Sequence, residues 1–328
     1  LAILAARDAL SNFEHRFESN RIGVVLGSAG AGTLVLEQQL QDESAYEAWL
    51  ALYAKRHIVD VVADNLGFTG PRHVINTACS SGAVAIAIAM DWLKNNDCDC
   101  VFALGSDELG RFTYTGFHSL RAMDPEPCRP FDRNRRGLTM GEGSGCLILE
   151  RHTDALKRGA KVHGFIRAVG LACDAHHLTA PDPEGVGPAR AIETALTDAQ
   201  LDASAIGFVN AHGTGTPLND AAEIASIERG LGVHAVNCPV HSVKATVGHC
   251  MGAAGTIEAV VALTSLERGL VPHTTGLEDS DFEGRVRCVK GSPLEVTAQH
   301  ALSTSFGFGG NDAVIVLSKS DALKSVLV

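Results

Sequence analysis

Short apolar runs alternate with longer helical stretches along this chain, and the alternation occurs twice, which restricts the chain to folds in which helices cover a sheet with parallel strands. In the first half, Ile22 to Gly27, Val74-Ile75, Cys100 to Gly105 and Cys146 to Leu149 read as buried strands, the last after a glycine-rich turn at Gly141, Gly143 and Gly145. Leu1 to Leu10, Asp42 to Leu66 (with Trp49, Leu50, Val59 and Val62 inward) and Ala83 to Leu93 carry apolar residues at helical spacing. The second half repeats the rhythm. Gly164 to Val169, Ile206 to Ala211, Ala301 to Phe306 and Ala313 to Leu317 read as strands, and Ala189 to Ala199, Ala221 to Arg229 and Thr256 to Leu266 as helices. The passage between halves falls around Arg151 to Gly159, with no low-complexity linker, so residues 1–155 and 156–328 are expected to form one intimate, mostly parallel unit that suggests an internal duplication.

Composition excludes several classes. The net charge of −11 argues against general nucleic-acid binding, while leaving room for a local basic patch. The nine cysteines are odd in number, no CxxC pair occurs and no secretory signal opens the chain, so they read as reduced thiols of a cytosolic compartment and give no support to structural zinc. No apolar run approaches the ~20 residues that span a bilayer.

The run Asn76-Thr77-Ala78-Cys79-Ser80-Ser81-Gly82 places Cys79 where a strand gives way to a helix. A helix N-terminus offers unpaired N–H groups and a positive dipole end, which favour the nucleophilic thiolate and can hold an oxyanion. The alternative is a buried structural cysteine, a common fate for this residue. Gly27-Ser-Ala-Gly30-Ala-Gly32 has the look of a dinucleotide loop, but no acidic ribose-binding residue follows at the expected place, and a tight turn is the preferred reading. His212 ends a strand and enters Gly213-Thr214-Gly215-Thr216, which is either a polar site or a capped turn. Lys244 precedes His249 and the small residues Gly252 to Gly255, where the helix start permits close packing. A metal held by His212, His241 and His249 lacks supporting carboxylate or cysteine spacing, so no metal is expected. Phe306 and Phe308 stand between glycines, as an apolar plug on a mobile loop or as core residues of a turn.

Six motifs in order, TACSSG (Thr77 to Gly82), CRPFD (Cys128 to Asp132), GEGSG (Gly141 to Gly145), HGTGTPLND (His212 to Asp220), VKATVGHCMGAAG (Val243 to Gly255) and SFGFGG (Ser305 to Gly310), resemble the β-ketoacyl-[acyl-carrier-protein] synthases of the Cys-His-His type, over essentially the whole chain. The resemblance implies a thiolase-like α-β-α-β-α sandwich of two similar halves, the first with the nucleophilic cysteine and the second with the catalytic histidines. It implies acyl transfer from a carrier protein to Cys79, then decarboxylative Claisen condensation with malonyl-carrier protein. His212 and His249 would stabilise the enolate, and Lys244, paired with Glu223, would keep them neutral. Thr214 and Thr216 would bond the pantetheine arm. The N–H groups of Cys79 and Phe308 would form the oxyanion hole, with Phe308 as gate and Phe306 in support. No cofactor is implied beyond the phosphopantetheine that the carrier protein brings. The implied partners are an acyl carrier protein and a second subunit, identical or a related ketosynthase subunit. A specialised polyketide or polyene ketosynthase, a non-catalytic partner subunit and a coenzyme A thiolase using Cys250 stand as alternatives. Cys79, His212 and His249 argue against the second, and the motif around Cys250 against the third.

The chain departs from the family pattern in three places. The family begins some tens of residues earlier, and loss of a central strand would expose a sheet edge, so a truncated sequence is expected. Gly32 to Ile58 lacks the usual Pro- and Phe-containing stretch, which leaves chain-length preference open. Asn311-Asp312 stands where Thr-Asn is usual, so local hydrogen bonding must differ. The family's carrier protein is acidic, and Lys55, Arg56, Arg121, Arg129, Arg133, Arg135 and Arg136 are candidates to meet it, or else surface charges paired within the fold.

Overall fold

The computed structural model describes residues 1–11, 13–14, 17–34, 37 and 57–322. The first half runs α1 (Ala2–Ser11), β1 (Ile22–Gly27), α2 (Ile58–Leu66), β2 (Arg72–Ile75), α3 (Ser81–Lys94), β3 (Cys100–Asp107), α4 (Arg111–Ser119) and β4 (Gly143–Glu150). After α5 (His152–Arg158), the second half runs β5 (Gly164–Cys173), α6 (Val186–Ala199), β6 (Ile206–Asn210), α7 (Pro217–Leu231), β7 (Pro239–His241) and α8 (Ala254–Arg268). It closes with the short strands β8 (Leu270–Val271), β9 (Arg287–Cys288) and β10 (Leu294–Glu295), then β11 (His300–Gly307) and β12 (Asn311–Lys319). The expected helix over 42–66 is described only from Ile58 onward; its earlier part, with Trp49 and Leu50, lies outside the described residues.

The first sheet has the order β2-β1-β3-β4 and the second β5-β12-β11-β6-β7-β9. Both are mixed: parallel pairings predominate, as expected, and each sheet also carries antiparallel strands at one side. β1 runs parallel to β2 and β3, but β3 and β4 are antiparallel from Cys100↔Glu150 to Asp107↔Gly143. In the second sheet β12 is antiparallel to both β11 and β5. The β11–β12 turn, Phe308 to Gly310, is too short for a parallel crossover, which needs about a dozen residues or more. The expected glycine turn before β4 is corrected, because Gly143 and Gly145 lie inside the strand. A Cβ on either would come within 2.9 to 3.0 Å of Ile257, so these glycines let α8 lie directly on β4.

The halves correspond element by element. The series α1-β1-α2-β2-α3-β3-β4 has the order and pairing of α6-β6-α7-β7-α8-β11-β12. The difference is β5, which pairs outside β12, whereas among the described residues no strand pairs outside β4. β1 and β3 pair directly, so the centre of the first sheet is filled.

Strand alternation builds the layers. On the first sheet, Val24, Leu26, Phe102 and Leu104 face α1 and α2, while Val25, Val101 and Ala103 face the opposite way. The inward set meets Ala83, Ile86 and Ala89 of α3 and Ala259, Ala262 and Leu266 of α8, which also touch Ala301, Ala313 and Ile315 of the second sheet. The outer face of that sheet, with Val209, Leu302, Val314 and Val316, packs on Ile192 and Ala195 of α6 and Ile224 and Ile227 of α7. The result is an α-β-α-β-α sandwich with α3 and α8 as its middle layer. These two helices meet at backbone contact: a Cβ on Gly82 would lie 2.8 Å from the Gly252 carbonyl oxygen, and one on Gly255 would lie 2.6 Å from the Ala83 nitrogen.

Candidate active site

Because the halves are equivalent, the starts of α3 and α8 face each other, and the segments entering them carry Cys79 and His249. The turn into α3 is held by its own hydroxyls. Ser81 Oγ donates to the Ala78 carbonyl at 2.6 Å and accepts from the Thr77 N–H at 2.9 Å, while Ser80 Oγ donates to the Thr77 carbonyl at 2.8 Å. These bonds keep Ala78 at φ 55°, a left-handed conformation that an alanine adopts only at a cost. They aim the Cys79 side chain across the helix pair.

Cys79 Sγ lies 3.2 Å from His249 Nε2, and the His249 ring meets His212 edge-on, with centroids 5.2 Å apart. On the far side of His212, Nδ1 is 3.2 Å from Lys244 Nζ, which also forms a buried ion pair with Glu258. The Glu258 partner corrects the expected Lys244–Glu223 pairing. Glu258 sits one turn into α8, where it reaches Lys244. Glu223, on α7, is taken up by backbone and hydroxyl donors: His212 N–H at 2.8 Å, Gly213 N–H at 2.7 Å and Thr304 Oγ1 at 2.6 Å. Glu223 thus fixes the His212 loop rather than the lysine.

Electrostatics set the resting protonation. Burial pushes the Cys79 thiol up to about 11, against the pull of Lys244 and of the Phe308 backbone N–H, which donates to the sulfur. The expectation that the helix start would favour thiolate is therefore corrected: α3 begins two residues later, and desolvation outweighs its dipole. Burial and the Lys244 charge hold His212 and His249 well below the ordinary histidine range. An ammonium has only donors, so Lys244 makes His212 Nδ1 an acceptor and leaves the proton on Nε2. His249 Nδ1 has no partner, so His249 is not locked into one tautomer.

The sulfur and one nitrogen from each histidine lie within 4.8 Å of one another, a set of ligand types that zinc takes. Lys244, 3.2 Å from His212, opposes a second cation there. His241 takes no part: it is buried beside Phe208, both ring nitrogens lack partners, and burial lowers it to about 3.

The trio opens into a cavity of about 370 Å³. Phe306, Phe308, Phe117, Leu120 and Leu138 form its apolar side, and Thr214, Thr216 and Asn219 its polar side. Phe308 stacks on Phe117 with centroids 5.4 Å apart, and Phe306 lies 6.0 Å from His212. The Thr214 and Thr216 hydroxyls are 3.0 Å apart, and Thr216 also caps α7 by accepting from the Asn219 N–H.

Of the expected basic patch, Arg121 is exposed and lines the cavity. Arg133 and Arg136 are exposed but paired, with Asp279 at 3.3 Å and Asp124 at 2.8 Å, and Arg135 is buried against Asp281 and the Phe282 ring. Arg129 is half-buried, while Asp132 ties down its loop by accepting from Glu278, Asp279 and Asn134 N–H groups. Lys55 and Arg56 lie outside the described residues.

Two contributors escape a reading by motif. Glu258 had a signal: it is the lone charge of α8 before the helix reaches its last turn. Asp107 ends β3 buried, accepting from Ser28 Oγ and from the Ala29, Gly30 and Gly252 N–H groups at 2.6 to 2.8 Å. It occupies the amides of the glycine loop after β1, which forms the tight turn expected there, and it binds that loop to the segment just after His249.

A thiol that loses its proton only as it attacks, backed by neutral imidazoles, suits acyl transfer through a thioester. Carried at the starts of the two middle helices of this sandwich, it defines a thiolase-fold condensing enzyme. The family models beta-ketoacyl synthase, N-terminal domain, and beta-ketoacyl synthase, C-terminal domain, match residues 1–155 and 163–278, and the chain belongs to the beta-ketoacyl synthase family. It is 37% identical to a 3-oxoacyl-[acyl-carrier-protein] synthase 2 of Synechocystis sp., over 97% of this chain and 80% of that one. A type II PKS ketosynthase, solved in complex with its acyl-carrier protein and bound to the hexaketide, superposes with a TM-score of 0.86 at 28% identity, covering 93% of this chain and 79% of that one. A chain of the solved complex of the ketosynthase ApeO with its chain length factor ApeC, from Xenorhabdus doucetiae, gives 0.82 at 30% identity, covering 97% and 79%. No helix among the described residues is long and apolar enough to cross a membrane.

Proposed function

We propose that the protein is a 3-oxoacyl-[acyl-carrier-protein] synthase that loads an acyl group onto Cys79 and condenses it with malonyl-carrier protein. The single observation that carries this reading is the Cys79 Sγ···His249 Nε2 approach of 3.2 Å, backed by the Lys244-clamped His212. As Cys79 attacks the acyl thioester, its proton passes to His249 Nε2 and then to the departing pantetheine thiolate. The Phe308 N–H, already directed at the sulfur, is placed to bond the tetrahedral oxyanion. Malonyl-carrier protein then loses CO₂. With the sulfur acylated, His249, unheld at Nδ1, takes the Nε2–H tautomer, and the His212 and His249 Nε2–H groups donate to the thioester oxygen as enolate charge grows. The enolate carbon attacks the acyl-Cys79 carbonyl, the C–S bond to Cys79 breaks, the thiolate is reprotonated from solvent, and the 3-oxoacyl product leaves on the carrier protein. Thr214 and Thr216 line the polar wall along which the pantetheine arm would enter. The arm supplies the only prosthetic group this chemistry requires. Arg121, at the cavity mouth, is placed to meet an acidic carrier protein.

Intact-protein mass spectrometry tests the reading. Acyl-carrier proteins of several chain lengths should add acyl mass to wild type and not to Cys79→Ala, and malonyl-carrier protein should discharge it as 3-oxoacyl product. His249→Ala should retain some acylation and lose condensation by roughly 100-fold or more. Acylation at a residue other than Cys79 would overturn the reading. A second reading, a polyketide or polyene ketosynthase working with a related subunit, is favoured by the solved ketosynthase–chain length factor pair that this fold matches. Native mass spectrometry of the protein from its own host would separate a homodimer from such a heterodimer.

A further inference from the structure

The loop that carries Phe308 joins β11 to β12 and rests on the segment that follows β5. The Asp174 N–H donates to the Gly310 carbonyl at 3.0 Å, the Gly309 N–H to the Leu178 carbonyl at 2.8 Å, and Asn311 Nδ2 to the Phe308 carbonyl at 2.9 Å. Beneath these bonds two carboxyl groups meet, Asp312 from the start of β12 and Asp174 from the end of β5. Asp312 is only 3% exposed. Asp312 Oδ2 and Asp174 Oδ1 are buried and receive no donor, and both converge over Gly187, where a Cβ would lie 2.9 Å and 2.4 Å from them. The other oxygen of Asp174 accepts from the Asp182 N–H at 3.0 Å.

Two buried carboxylates cannot face each other with both charges and no donor between them. The neighbouring groups do not relieve this. Arg190 of α6 attracts Asp312 from a distance, and the Asp182 carboxylate is engaged with the Glu184 and Val186 N–H groups at the start of α6. β11 faces Asp312 with Phe306, and His177 on the cavity wall accepts from the Thr179 and Ala180 N–H groups.

We propose that Asp312 keeps its proton and donates it to Asp174, and that this hydrogen bond latches the Phe308 loop onto the segment after β5, making Asp312 a positioning residue for the Phe308 N–H and its gate a pH-sensitive one. The inference rests on the reading of Phe308 as oxyanion donor and gate. Burial and the Asp174 charge push Asp312 up to about 8, so the latch is closed at neutral pH. Because the folded protein holds this proton more tightly than the unfolded chain, the stabilisation is complete below the ordinary carboxylate range and is lost as pH rises through about 8. Asparagine at 312 would donate to Asp174 at every pH and keep the loop latched.

The test compares wild type with Asp312→Asn, and with Asp174→Asn as a second route to a permanent donor should the first fail to fold. Thermal unfolding is followed from about pH 6.5 to about pH 9.5 around the Asp312 midpoint. Wild type should lose roughly 2 °C or more in Tm relative to the variant as pH rises from about 6.5 toward 8, and the loss should level off above about pH 8, where the carboxyl is ionised in both states. Over the same range the ratio of iodoacetamide labelling rates at Cys79, wild type over variant, read by peptide mapping, should rise about threefold or more as the loop loosens. Parallel Tm curves and a constant labelling ratio would overturn the latch, whatever the catalytic activity. Absence of condensation by wild type at every pH, with both differences still titrating, would instead sink the functional reading and leave the latch standing.

Discussion

At Cys79 two effects compete, the field of the α3 start and the loss of water around a residue that is only 4% exposed, and the second wins. The same desolvation acts on His212 and His249 in the opposite sense, so thiol and imidazoles are all neutral at rest. This is the state that decarboxylation needs, since an imidazole N–H stabilises a nascent enolate without first neutralising the malonyl carboxylate. Lys244 holds that state by charge, and burial holds it by desolvation. The acid limb of the condensation rate should therefore lie well below the ordinary histidine midpoint in wild type. In the double variant Lys244→Met, Glu258→Gln, which removes the cation without orphaning a buried carboxylate, the limb should move upward while staying below the ordinary value, because burial remains. A pH–rate profile under saturating malonyl-carrier protein checks this, and an unmoved limb would assign the neutral histidines to burial alone.

Elements convert these preferences into distances, and the decisive contact is between α3 and α8. Gly255 places its Cα where a side chain would meet the Ala83 backbone, which allows the two helix starts, and hence Cys79 and His249, to approach. Gly255→Val should force the pair apart at a cost of about 1–3 kcal/mol and lengthen the thiol–imidazole approach. Thermal unfolding would give the first effect, and the iodoacetamide rate at Cys79, falling toward that of an unassisted buried thiol, the second. The sequence announced most of these elements because their signal is local: the apolar runs of β1, β3 and β6 and the helical spacing of α6 and α7 are read within a single window. It announced Cys79, His212, His249 and Lys244 because each sits in a distinctive run at an element's edge. Pairing is another matter. The whole of α4 and a long connection separate β3 from β4, so nothing local records that they run antiparallel. The partner of Lys244 was equally illegible, since Glu223 and Glu258 are both acids on helices that flank the site, and only the seating of α7 against the His212 loop and of α8 against Lys244 decides between them.

For the molecule as a whole, one apolar cluster spans both halves: Val25, Val101 and Ala103 from the first sheet, Ala301, Ala313 and Ile315 from the second, and α3 and α8 between them. Neither half owns this layer. If the halves were separated, the inner face of each sheet and one flank of its middle helix would meet water, and the catalytic pair would be divided between the pieces. Such a shared core predicts a single cooperative transition, not two. Val101→Ala in the first half and Ile315→Ala in the second, both fully buried, should each lower the stability of the entire protein, the former by about 1–3 and the latter by about 2–5 kcal/mol. Denaturant unfolding followed by tryptophan fluorescence reports on the first half, because Trp49 and Trp92 both fall there, whereas far-ultraviolet circular dichroism reports on the helices of both. The two probes should trace coincident curves in wild type, and both should shift together in either variant with an unchanged m-value. Fluorescence that moved with Val101→Ala and stayed in place with Ile315→Ala would mean that the halves unfold independently, and that the buried layer between them contributes contact without cooperativity.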